Sequence, residues 1–600
     1  MRLHLSLADA LASTLRDWGV RYVFGVSGAN IEHLHDAIHR LGGQRLTAVM
    51  AKSEIGAAFM ADARARVHRT LGVCCSTSGG GMMNLAVGIA ESYAESVPVL
   101  AIVGQVPTTH EGKGGFQDSS GVGRTVDAMQ FWQACTKYVA RVARAHDFWP
   151  RLREAASAAL RGRPGPSVLL IPRDAYELEV GPPPGDFPVA LPYADGTSVE
   201  EGELERLYER LRRARRPVLV AGSGVERAGA QVAVQAFAQR TRMAVVTTMS
   251  SKAAFPNSHP LHLGMVGMAG HPSAHAYLAE RADLILAVGT GLNAMTRMPL
   301  GPALGNTALV IVNIDAGDAS RAVAPEIVVE ADARAVFERL LALHERAPMM
   351  FEPPPGHRLE RYRPLLAPDH AGPGEPSTKT ARRHEETSRA PVPSACCGGL
   401  LQSEAIEILS GHLPRRGHVL FDAGNCGVAA LHACQIPEGV SSTFALGMGG
   451  MGYAICGAIG AQLGSPDGTS TLVFCGDGAF LMTGLEVHTA VDLGLPILFV
   501  VFNNGMHGMC VTRQRLYFGG RIECTRYSRF DAMQVAGGLG SAERLWVARA
   551  STAEELHARL EDYTRGPSRP GVLDLCLDRE EIPPFVPFLP EGAPTYVPMQ

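Results

Sequence analysis

Short apolar runs alternate with longer amphipathic segments along most of the chain. In the first 180 residues, positions 7, 11, 15 and 18 are apolar and fall on one stripe of a helix. Residues 22–26, 71–75 and 97–103 are apolar runs with the length of a buried strand. Strands that alternate with helices in this way predict a doubly wound α/β unit.

The same alternation returns twice further along the chain. Strand-like runs occur at 217–224, 244–248, 284–289 and 309–315, and again at 418–422, 471–474 and 499–502. We therefore predict an α/β protein built from three doubly wound parallel-sheet domains. The expected limits of these domains are 1–185, 190–347 and 400–600.

Residues 348–399 break the alternation. They hold three consecutive prolines at 353–355, a second Pro- and Gly-rich stretch at 372–376, and a polar, charged run at 378–389. This composition predicts an interdomain linker that is partly disordered. A Pro-rich tail at 582–588 is expected to pack over the edge of the site or over a neighbouring subunit.

Composition and charge exclude several classes of protein. The chain has 600 residues, too many for one hydrophobic core, and its net charge of −4 comes without a basic tract, so we expect no nucleic-acid partner. The 12 cysteines form no Cys-x-x-Cys pair, which favours free thiols in a reducing compartment. Because no signal-peptide pattern and no 18-residue apolar run occur, we expect a cytoplasmic protein with no membrane partner.

One strand–turn–helix–strand stretch carries the strongest chemical signal. The apolar run 471–474 ends at Gly476, Asp477 and Gly478, and the next apolar run ends at Asn503 and Asn504. Since the carboxyl ends of parallel strands share one edge of a sheet, Asp477 and Asn504 can face one point. Carboxylate and amide oxygens suit Mg²⁺, and the glycines let backbone N–H groups approach a phosphate. A Gly-Asp-Gly turn alone is common, so an ordinary turn is the alternative.

The full spacing resembles the cofactor motif of the thiamine diphosphate (ThDP) enzymes. Residues 503–509 are similar to the acetolactate synthase branch of that family. The resemblance implies that Asp477, Asn504 and the carbonyl of Met506 hold Mg²⁺, and that Met451 supports the bent cofactor. It further implies cofactor contacts at Gly424, Asn425, Gly449, Gly478, Ala479, Gly508 and Met509.

Glu54 has a matching place in the first domain. Alone, it is a carboxylate favoured in the first turn of a helix. The run that begins at Glu54, with Thr77 to Gly81 and Asn84 after it, resembles the pyrimidine-binding domain of the same family. There a carboxylate bonded to N1′ of the aminopyrimidine favours the imino tautomer that takes the thiazolium C2 proton. Ser53, directly before it, is expected to cap the helix that Glu54 opens, and it stands where the family usually has His.

Three further residues are candidates at the reacting centre. Acetolactate synthases and benzaldehyde lyase have a Gln near the reacting carbonyl, and the resemblance gives that role to Gln117. The turn at 25–30 is similar to that of benzaldehyde lyase, with Ser27 and Asn30 in place of two histidines. These catalytic candidates cannot shuttle protons through an imidazole. His110, on a nearby loop, is a lesser candidate.

The second domain raises the question of a flavin. Residues 263–270 resemble a segment that lines FAD in acetolactate synthase, but the Arg and Asp expected after the next strand are replaced within 289–295. The second domain could therefore bind FAD, or it could be a vestigial flavin domain. In either case we expect turnover to need no flavin.

The resemblance implies a carboligase that depends on ThDP and Mg²⁺. A 2-keto acid, most simply pyruvate, would lose CO₂, and its acyl carbanion would attack a second carbonyl to give an α-hydroxy ketone. Arg513 replaces a Trp of the synthases, which indicates either an anionic or hydroxyl-rich acceptor or a solvated Arg. In the family the two ThDP-binding domains meet across a subunit interface, so a homodimer or homotetramer is expected.

Three alternatives remain at this point. The chain could be a simple 2-keto acid decarboxylase. It could form an acyl phosphate, since residues 171–174 resemble sulfoacetaldehyde acetyltransferase. It could also be a paralogue without catalysis, which the retained Glu54 argues against.

Overall fold

Three six-stranded sheets, with all strands parallel, organise the chain. The computed structural model describes residues 5–191, 199–354, 356, 358–366, 399–566, 568–577 and 581–598. Helices connect the successive strands, and the predicted α/β fold class with three doubly wound sheets is confirmed. We call the three sheets with their helices the first, second and third units.

The strands of the first unit are, in spatial order, Thr47–Met50, Tyr22–Gly25, Gly72–Ser76, Val99–Gln105, Ser167–Pro172 and Tyr138–Arg141. Its helices are Leu7–Asp17, Glu32–Leu41, Glu54–His68, Gly80–Ala94, Ala128–Gln133 and Phe148–Leu160. The stripe seen in the sequence is buried, since Leu7, Leu11 and Leu15 are inaccessible to solvent.

The strands of the second unit are His262–Met265, Ala244–Thr247, Pro217–Ala221, Leu284–Val288, Ala308–Asn313 and Ile327–Glu330. Its helices are Glu201–Arg212, Ser223–Ala228, Gln231–Thr241, Pro272–Glu280, Ala294–Arg297, Gly301–Asn306, Ala316–Ser320 and Ala333–Arg346.

The strands of the third unit are Val440–Phe444, Gly417–Phe421, Ser470–Gly476, Ile497–Asn503, Gly571–Cys576 and Trp546–Ala550. Its helices are Gln402–Ser410, Asn425–Ala433, Tyr453–Gln462, Asp477–Thr483, Val487–Asp492, Gly508–Tyr517, Ala532–Gly537 and Ala553–Arg565. Short 3₁₀ segments occur at Ala145–Asp147, Arg173–Glu177, Met249–Ala254, Met298–Leu300, Gly484–Glu486 and Val586–Phe588.

The central strands are buried on both faces, as parallel strands covered by helices must be. Every residue of Val99–Gln105 and of Ile497–Asn503 is buried. These runs are rich in Val, Ile and Phe, which fit a pleated surface packed on both sides. The continuous apolar runs of the sequence therefore correspond to the middle of each sheet.

The first and third units pack through two helices, Glu54–His68 and Tyr453–Gln462. Small residues let the helices approach closely, because a Cβ at Gly460 would clash with the backbone carbonyl of Met60. Phe59 and Tyr453 meet edge to face at 5.3 Å between ring centroids. The Tyr453 hydroxyl donates to Asp62 at 2.8 Å, so the polar end of this buried ring is satisfied.

The predicted linker is only partly visible. Residues 367–398 lie outside the described residues, so the expectation of disorder there stays a prediction, as do the limits of the three domains. The described flank is paired with the tail: Arg361–Tyr362 with Thr595–Tyr596, and Leu365–Leu366 with Glu581–Ile582. The tail itself packs on the third unit, where Phe585 and Phe588 are buried.

Within the described ranges, every helix is too short or too polar to span a bilayer.

Candidate active site

The third sheet has a switch point between Gly417–Phe421 and Ser470–Gly476, which are its first and third strands in chain order. The second strand lies on the other side of the first, so connections leave this point in opposite directions. Open parallel sheets bind ligands at the carboxyl ends of such strands. The turn at 422–425 follows one of these strands and Asp477 follows the other, while Asn504 follows the adjacent strand.

The Asp477 carboxyl group is buried at this edge and held by a backbone hydrogen bond. Its side chain is 1% exposed, and its Oδ2 accepts a hydrogen bond from the Gly505 N–H at 2.6 Å. Burial raises the pKa of the Asp477 carboxyl, and the Gly505 N–H opposes that shift. Asn504 Oδ1 accepts from the Met506 N–H at 3.2 Å, so the loop after the strand turns back toward Asp477. A cation here would favour the ionised carboxylate.

A second amide joins the cluster from the neighbouring turn. A Cβ at Gly508 would lie 3.0 Å from Asn425 Nδ2 and 3.1 Å from Asn504 Nδ2, which places both amides around that glycine. Asn425 Oδ1 is buried and has no hydrogen-bond partner in the described part of the chain. Gly424 has φ +118°, and the space beside its Cα is open. The N-terminus of the helix Asn425–Ala433 thus lies beside free space and an unpartnered amide oxygen.

Met451 lies between this cluster and the interface of the units. A Cβ at Gly478 would lie 3.0 Å from the Met451 methyl group. The loop 447–452 that carries Met451 is fixed at both ends by buried carboxylates. Asp422 accepts from the N–H groups of Gly452 at 2.9 Å and Ala454 at 2.8 Å.

Glu91, from the first unit, fixes the other end of that loop. It accepts from the N–H groups of Gly447 at 3.1 Å and Met448 at 2.6 Å. Neither Asp422 nor Glu91 is accessible to solvent. Burial raises the pKa of Asp422 to about 6, although three backbone N–H groups act to lower it.

Glu54 occupies the first helical position of Glu54–His68. Ser53 caps this helix as expected, with its hydroxyl accepting from the Gly56 N–H at 3.0 Å. Asn84 Nδ2 donates to Glu54 Oε2 at 3.0 Å, and a Cβ at Gly81 would lie 2.8 Å from Oε1. The carboxylate is therefore oriented by the two segments that the sequence associated with it.

Two of the other three catalytic candidates lie around the same turn. Asn30 is buried, and its amide donates to Ser78 Oγ at 2.7 Å. Gln117 has φ +66°, a strained value for a residue with a side chain, and a Cβ at Gly79 would lie 2.9 Å from its Cγ. Ser27, in contrast, is exposed, as is His110.

The structure thus forms two clusters within one chain. Glu54, Asn30 and Gln117 surround the turn 77–81 of the first unit, whereas Asp477, Asn425 and Asn504 form the second cluster. In the described part of the chain, the hydrogen bonds of the Glu54 carboxylate stay within the first unit.

Three residues near the clusters escaped the sequence reasoning. The Tyr527 side chain faces Asp477, and burial together with that carboxyl raises the pKa of the tyrosine hydroxyl. Asp422 directly follows a strand at the switch point, and this position could have identified it. Glu91 gave no such signal, because the Gly447 N–H group that donates to it lies 356 positions away in the sequence.

The second sheet has a switch point of its own, between Pro217–Ala221 and Leu284–Val288. A cleft of about 840 Å³ lies there. Arg163 from the first unit lines it and pairs with Asp318 at 2.8 Å. That turnover needs no flavin stays a prediction.

Comparison with known proteins identifies the family. The sequence models of the thiamine pyrophosphate enzymes match in all three units: the N-terminal TPP binding domain at residues 5–123, the central domain at 204–340 and the C-terminal TPP binding domain at 422–574. Thiamine pyrophosphate is another name for ThDP. The chain belongs to the thiamine pyrophosphate enzyme family.

Among curated proteins, this ThDP enzyme is similar to acetolactate synthases. It is 29% identical to the acetolactate synthase large subunit of Corynebacterium glutamicum, over 96% of this chain and 87% of that protein. It is 28% identical to a probable acetolactate synthase large subunit of Methanocaldococcus jannaschii, over 97% and 93%. With the large subunit of Lactococcus lactis it shares 29% identity over 85% and 83%. It is therefore a ThDP-dependent, acetolactate synthase-like enzyme.

The second cluster fits the diphosphate end of ThDP with a divalent cation. The unpartnered Asn425 Oδ1 and the open space at Gly424 are features that a polar ligand would fill. The N-terminus of the helix Asn425–Ala433 favours a phosphate group. One carboxylate, one amide oxygen and one carbonyl form a ligand set of the kind Mg²⁺ prefers.

Replacing Asp422 should loosen the loop that carries Met451. In Asp422→Asn, the amide nitrogen cannot accept a hydrogen bond, so a buried backbone N–H loses its partner at a cost of about 1–3 kcal/mol. We expect the first thermal unfolding transition to fall, measured by scanning calorimetry. Asp467→Asn, an exposed aspartate of the same unit, is the matched control and should leave the transition unchanged.

Replacing Asp477 should remove the response to metal and cofactor. A ligand at a hundred times its Kd stabilises the folded state by about 2.7 kcal/mol. We expect ThDP with Mg²⁺ to raise the Tm of the parent and of Asp467→Asn, but not that of Asp477→Ala, in a thermal shift assay. An equal rise in Asp477→Ala would show that the metal is held elsewhere.

Proposed function

We propose that this enzyme is a carboligase that uses ThDP and Mg²⁺. It decarboxylates a 2-keto acid, most simply pyruvate, and transfers the acyl carbanion to a second carbonyl to give an α-hydroxy ketone. The observation that carries the proposal is the pair of clusters around Glu54 and Asp477, which lie at the family's motif positions. The similarity to acetolactate synthases over nearly the whole chain supports this choice of reaction.

ThDP, when bound, supplies a thiazolium carbon that adds to the keto acid after losing its proton. Glu54 interacts with N1′ of the aminopyrimidine and thereby promotes that loss. Asn84 holds one oxygen of Glu54 at 3.0 Å, and Gly81 leaves room beside the other. The carboxylate thus has a fixed orientation before the cofactor arrives, which lowers the cost of reorganisation.

The second cluster anchors the cofactor. Asp477, Asn504 and the Met506 carbonyl hold Mg²⁺, while Gly424 and Asn425 meet the diphosphate. The remaining predicted contacts are made by Gly449, Gly478, Ala479, Gly508 and Met509. Met451 would support the bent cofactor, and its loop keeps its shape through Asp422 and Glu91.

The polar residues of the first cluster bind the reacting carbonyls. Gln117 is held next to Gly79 in a strained conformation, as is common for residues at functional sites. Asn30 is oriented by Ser78, and exposed Ser27 lies on the same turn. Hydrogen bonds from such groups would orient a keto acid and stabilise developing charge on oxygen.

A complete site requires a second copy of the chain. Glu54 and Asp477 belong to separate clusters, and the helix that begins at Asp477 exposes Leu481 and Met482, with Leu485 just after it. Apolar side chains that are this exposed beside a binding site are typical of an interface. We therefore include a homodimer or homotetramer with shared sites in the proposal. A cytoplasmic location stays a prediction from the sequence.

The acceptor decides between the proposal and its alternatives. Arg513 is exposed on the helix that starts at Gly508, so a guanidinium is available to an anionic acceptor at this edge. Phosphate as acceptor would give an acyl phosphate, and a proton alone would give simple decarboxylation.

A panel of acceptors tests the function. The purified enzyme with ThDP, Mg²⁺ and pyruvate is offered aldehydes, ketones, keto acids and phosphate, and products are identified by mass spectrometry. We expect an α-hydroxy ketone and its loss in Glu54→Gln, which keeps the side-chain volume but lacks the carboxylate, by roughly 100-fold or more. Acetyl phosphate or free aldehyde as the main product would favour the corresponding alternative.

Subunit mixing tests the shared site. Inactive Glu54→Gln and inactive Asp477→Ala are mixed and allowed to exchange subunits, with exchange confirmed by native mass spectrometry. If each site takes Glu54 from one chain and Asp477 from the other, mixed dimers contain one intact site and activity returns. If both residues of a site come from one chain, every site stays broken and the shared-site proposal fails.

A further inference from the structure

Glu486 is a buried carboxylate without a role in the chemistry described above. It ends the 3₁₀ turn Gly484–Glu486, nine positions after Asp477, and is 1% exposed. Its side chain crosses from the third unit to the first and lies at the N-terminus of the helix Glu54–His68. A charged group that is buried this deeply needs hydrogen-bond partners.

The partners of Glu486 are the backbone groups directly before Glu54. Oε1 accepts from the N–H groups of Lys52 at 2.9 Å and Ser53 at 3.0 Å. Oε2 accepts from the Thr489 hydroxyl at 2.9 Å, which fixes the carboxylate within its own unit. The arrangement also places a negative charge at the positive end of the Glu54 helix dipole.

Gly56 provides the space for this carboxylate. A Cβ at Gly56 would clash with Glu486 Oε1 and lie 2.8 Å from Cδ. The first turn of the helix therefore accommodates Glu486 only because position 56 has no side chain. Two separate features of the chain, an acid at 486 and a glycine at 56, serve one contact.

We propose that Glu486 is a positioning residue for Glu54. It fixes the peptide groups immediately before Glu54, while Asn84 and Gly81 fix the far end of the Glu54 side chain. The Glu54 carboxylate is thus held from both sides in the place where the aminopyrimidine is activated. This inference rests on the proposed role of Glu54 toward ThDP.

The physical reason is that the reaction tolerates little displacement of its reacting groups. Without Glu486, two N–H groups at the interface lose their acceptor, and the first turn of the helix can shift or fray. A displacement of about 1 Å at a reacting group can cost a factor of about 100 in rate. A catalytic carboxylate at the first position of a helix is therefore only as well placed as the end of that helix.

Two measurements on Glu486→Ala test the proposal. In the protein without cofactor, hydrogen–deuterium exchange by mass spectrometry should show residues 50–58 exchanging about tenfold faster or more, because two amides are no longer protected. In the holoenzyme, NMR should show the C2 proton of bound ThDP exchanging about 10-fold to 100-fold more slowly. The thermal shift by ThDP and Mg²⁺, which reports on Asp477, should persist.

Three matched variants separate positioning from general stability. Glu486→Gln keeps an oxygen that can accept from both N–H groups, so it should stay within about threefold of the parent in both measurements. Asp492→Asn removes the partner of Lys52 Nζ at 3.3 Å, an exposed ion pair between the same two segments, and should change neither. Gly56→Ala should reproduce both defects, because its methyl group displaces an intact Glu486; it carries the test if Glu486→Ala does not fold.

The comparison with Glu54→Gln distinguishes failure of the proposed role of Glu54 from failure of the positioning role of Glu486. If Glu54→Gln leaves C2 exchange unchanged, the proposed role of Glu54 fails. If Glu54→Gln slows it but Glu486→Ala and Gly56→Ala do not, the positioning role alone is overturned. If positioning is right, the double variant Glu54→Gln with Glu486→Ala exchanges no more slowly than Glu54→Gln, because there is no longer a carboxylate to place. Multiplied effects would indicate independent action and overturn the proposal.

Discussion

The close packing of the helices Glu54–His68 and Tyr453–Gln462 is the contact on which the rest of the structure depends. It is built from alanines and glycines, and Gly460 lies directly against the backbone of Met60. Backbones that approach this closely leave little freedom to slide or rotate, because interiors pack at the density of organic crystals. The first and third units are therefore fixed relative to each other, and so are the segments that carry Glu54 and Met451.

Buried carboxylates complete this interface in a consistent way. Glu91 reaches from the first unit to the loop before Met451, and Glu486 reaches from the third unit to the turn before Glu54. Both bind backbone N–H groups, which offsets the cost of removing a charge from water. Each unit thus orients a functional segment of the other unit. An apolar contact could fill the same space, but it could not fix the orientation of a peptide plane.

The three units show how one architecture serves different purposes. In the first and third sheets, the strand that comes first in the chain lies between the strands that come second and third. Each of these two sheets bears one cluster at that switch point. The second sheet places its first strand between the second and fourth strands, and its switch point opens into the cleft lined by Arg163 and Asp318. Parallel strands make such sites available wherever the connections change direction. Side chains at the turns then decide what each site can bind.

The sequence by itself determined the elements of the fold and singled out the candidate site residues. Apolar runs and helical stripes depend on local periodicity, and the spacing from Asp477 to Asn504 reflects one strand–helix–strand crossover, so both can be recognised in a single chain. The same holds for Ser53 as a helix cap, since capping acts over three residues.

Only the tertiary structure decided which buried groups hold the site in shape. Glu91 and Glu486 occupy helical segments where a glutamate is ordinarily solvated, and Glu486 finds its partners 434 and 433 positions away. Those partners are backbone N–H groups, which every residue except proline has, so no pattern of side chains marks them. The tertiary structure also separated exposed Ser27 from buried Asn30, because a turn can point neighbouring side chains to opposite sides. The chemical groups of a site can be recognised in the sequence, whereas the contacts that orient those groups form only when distant segments of the chain meet.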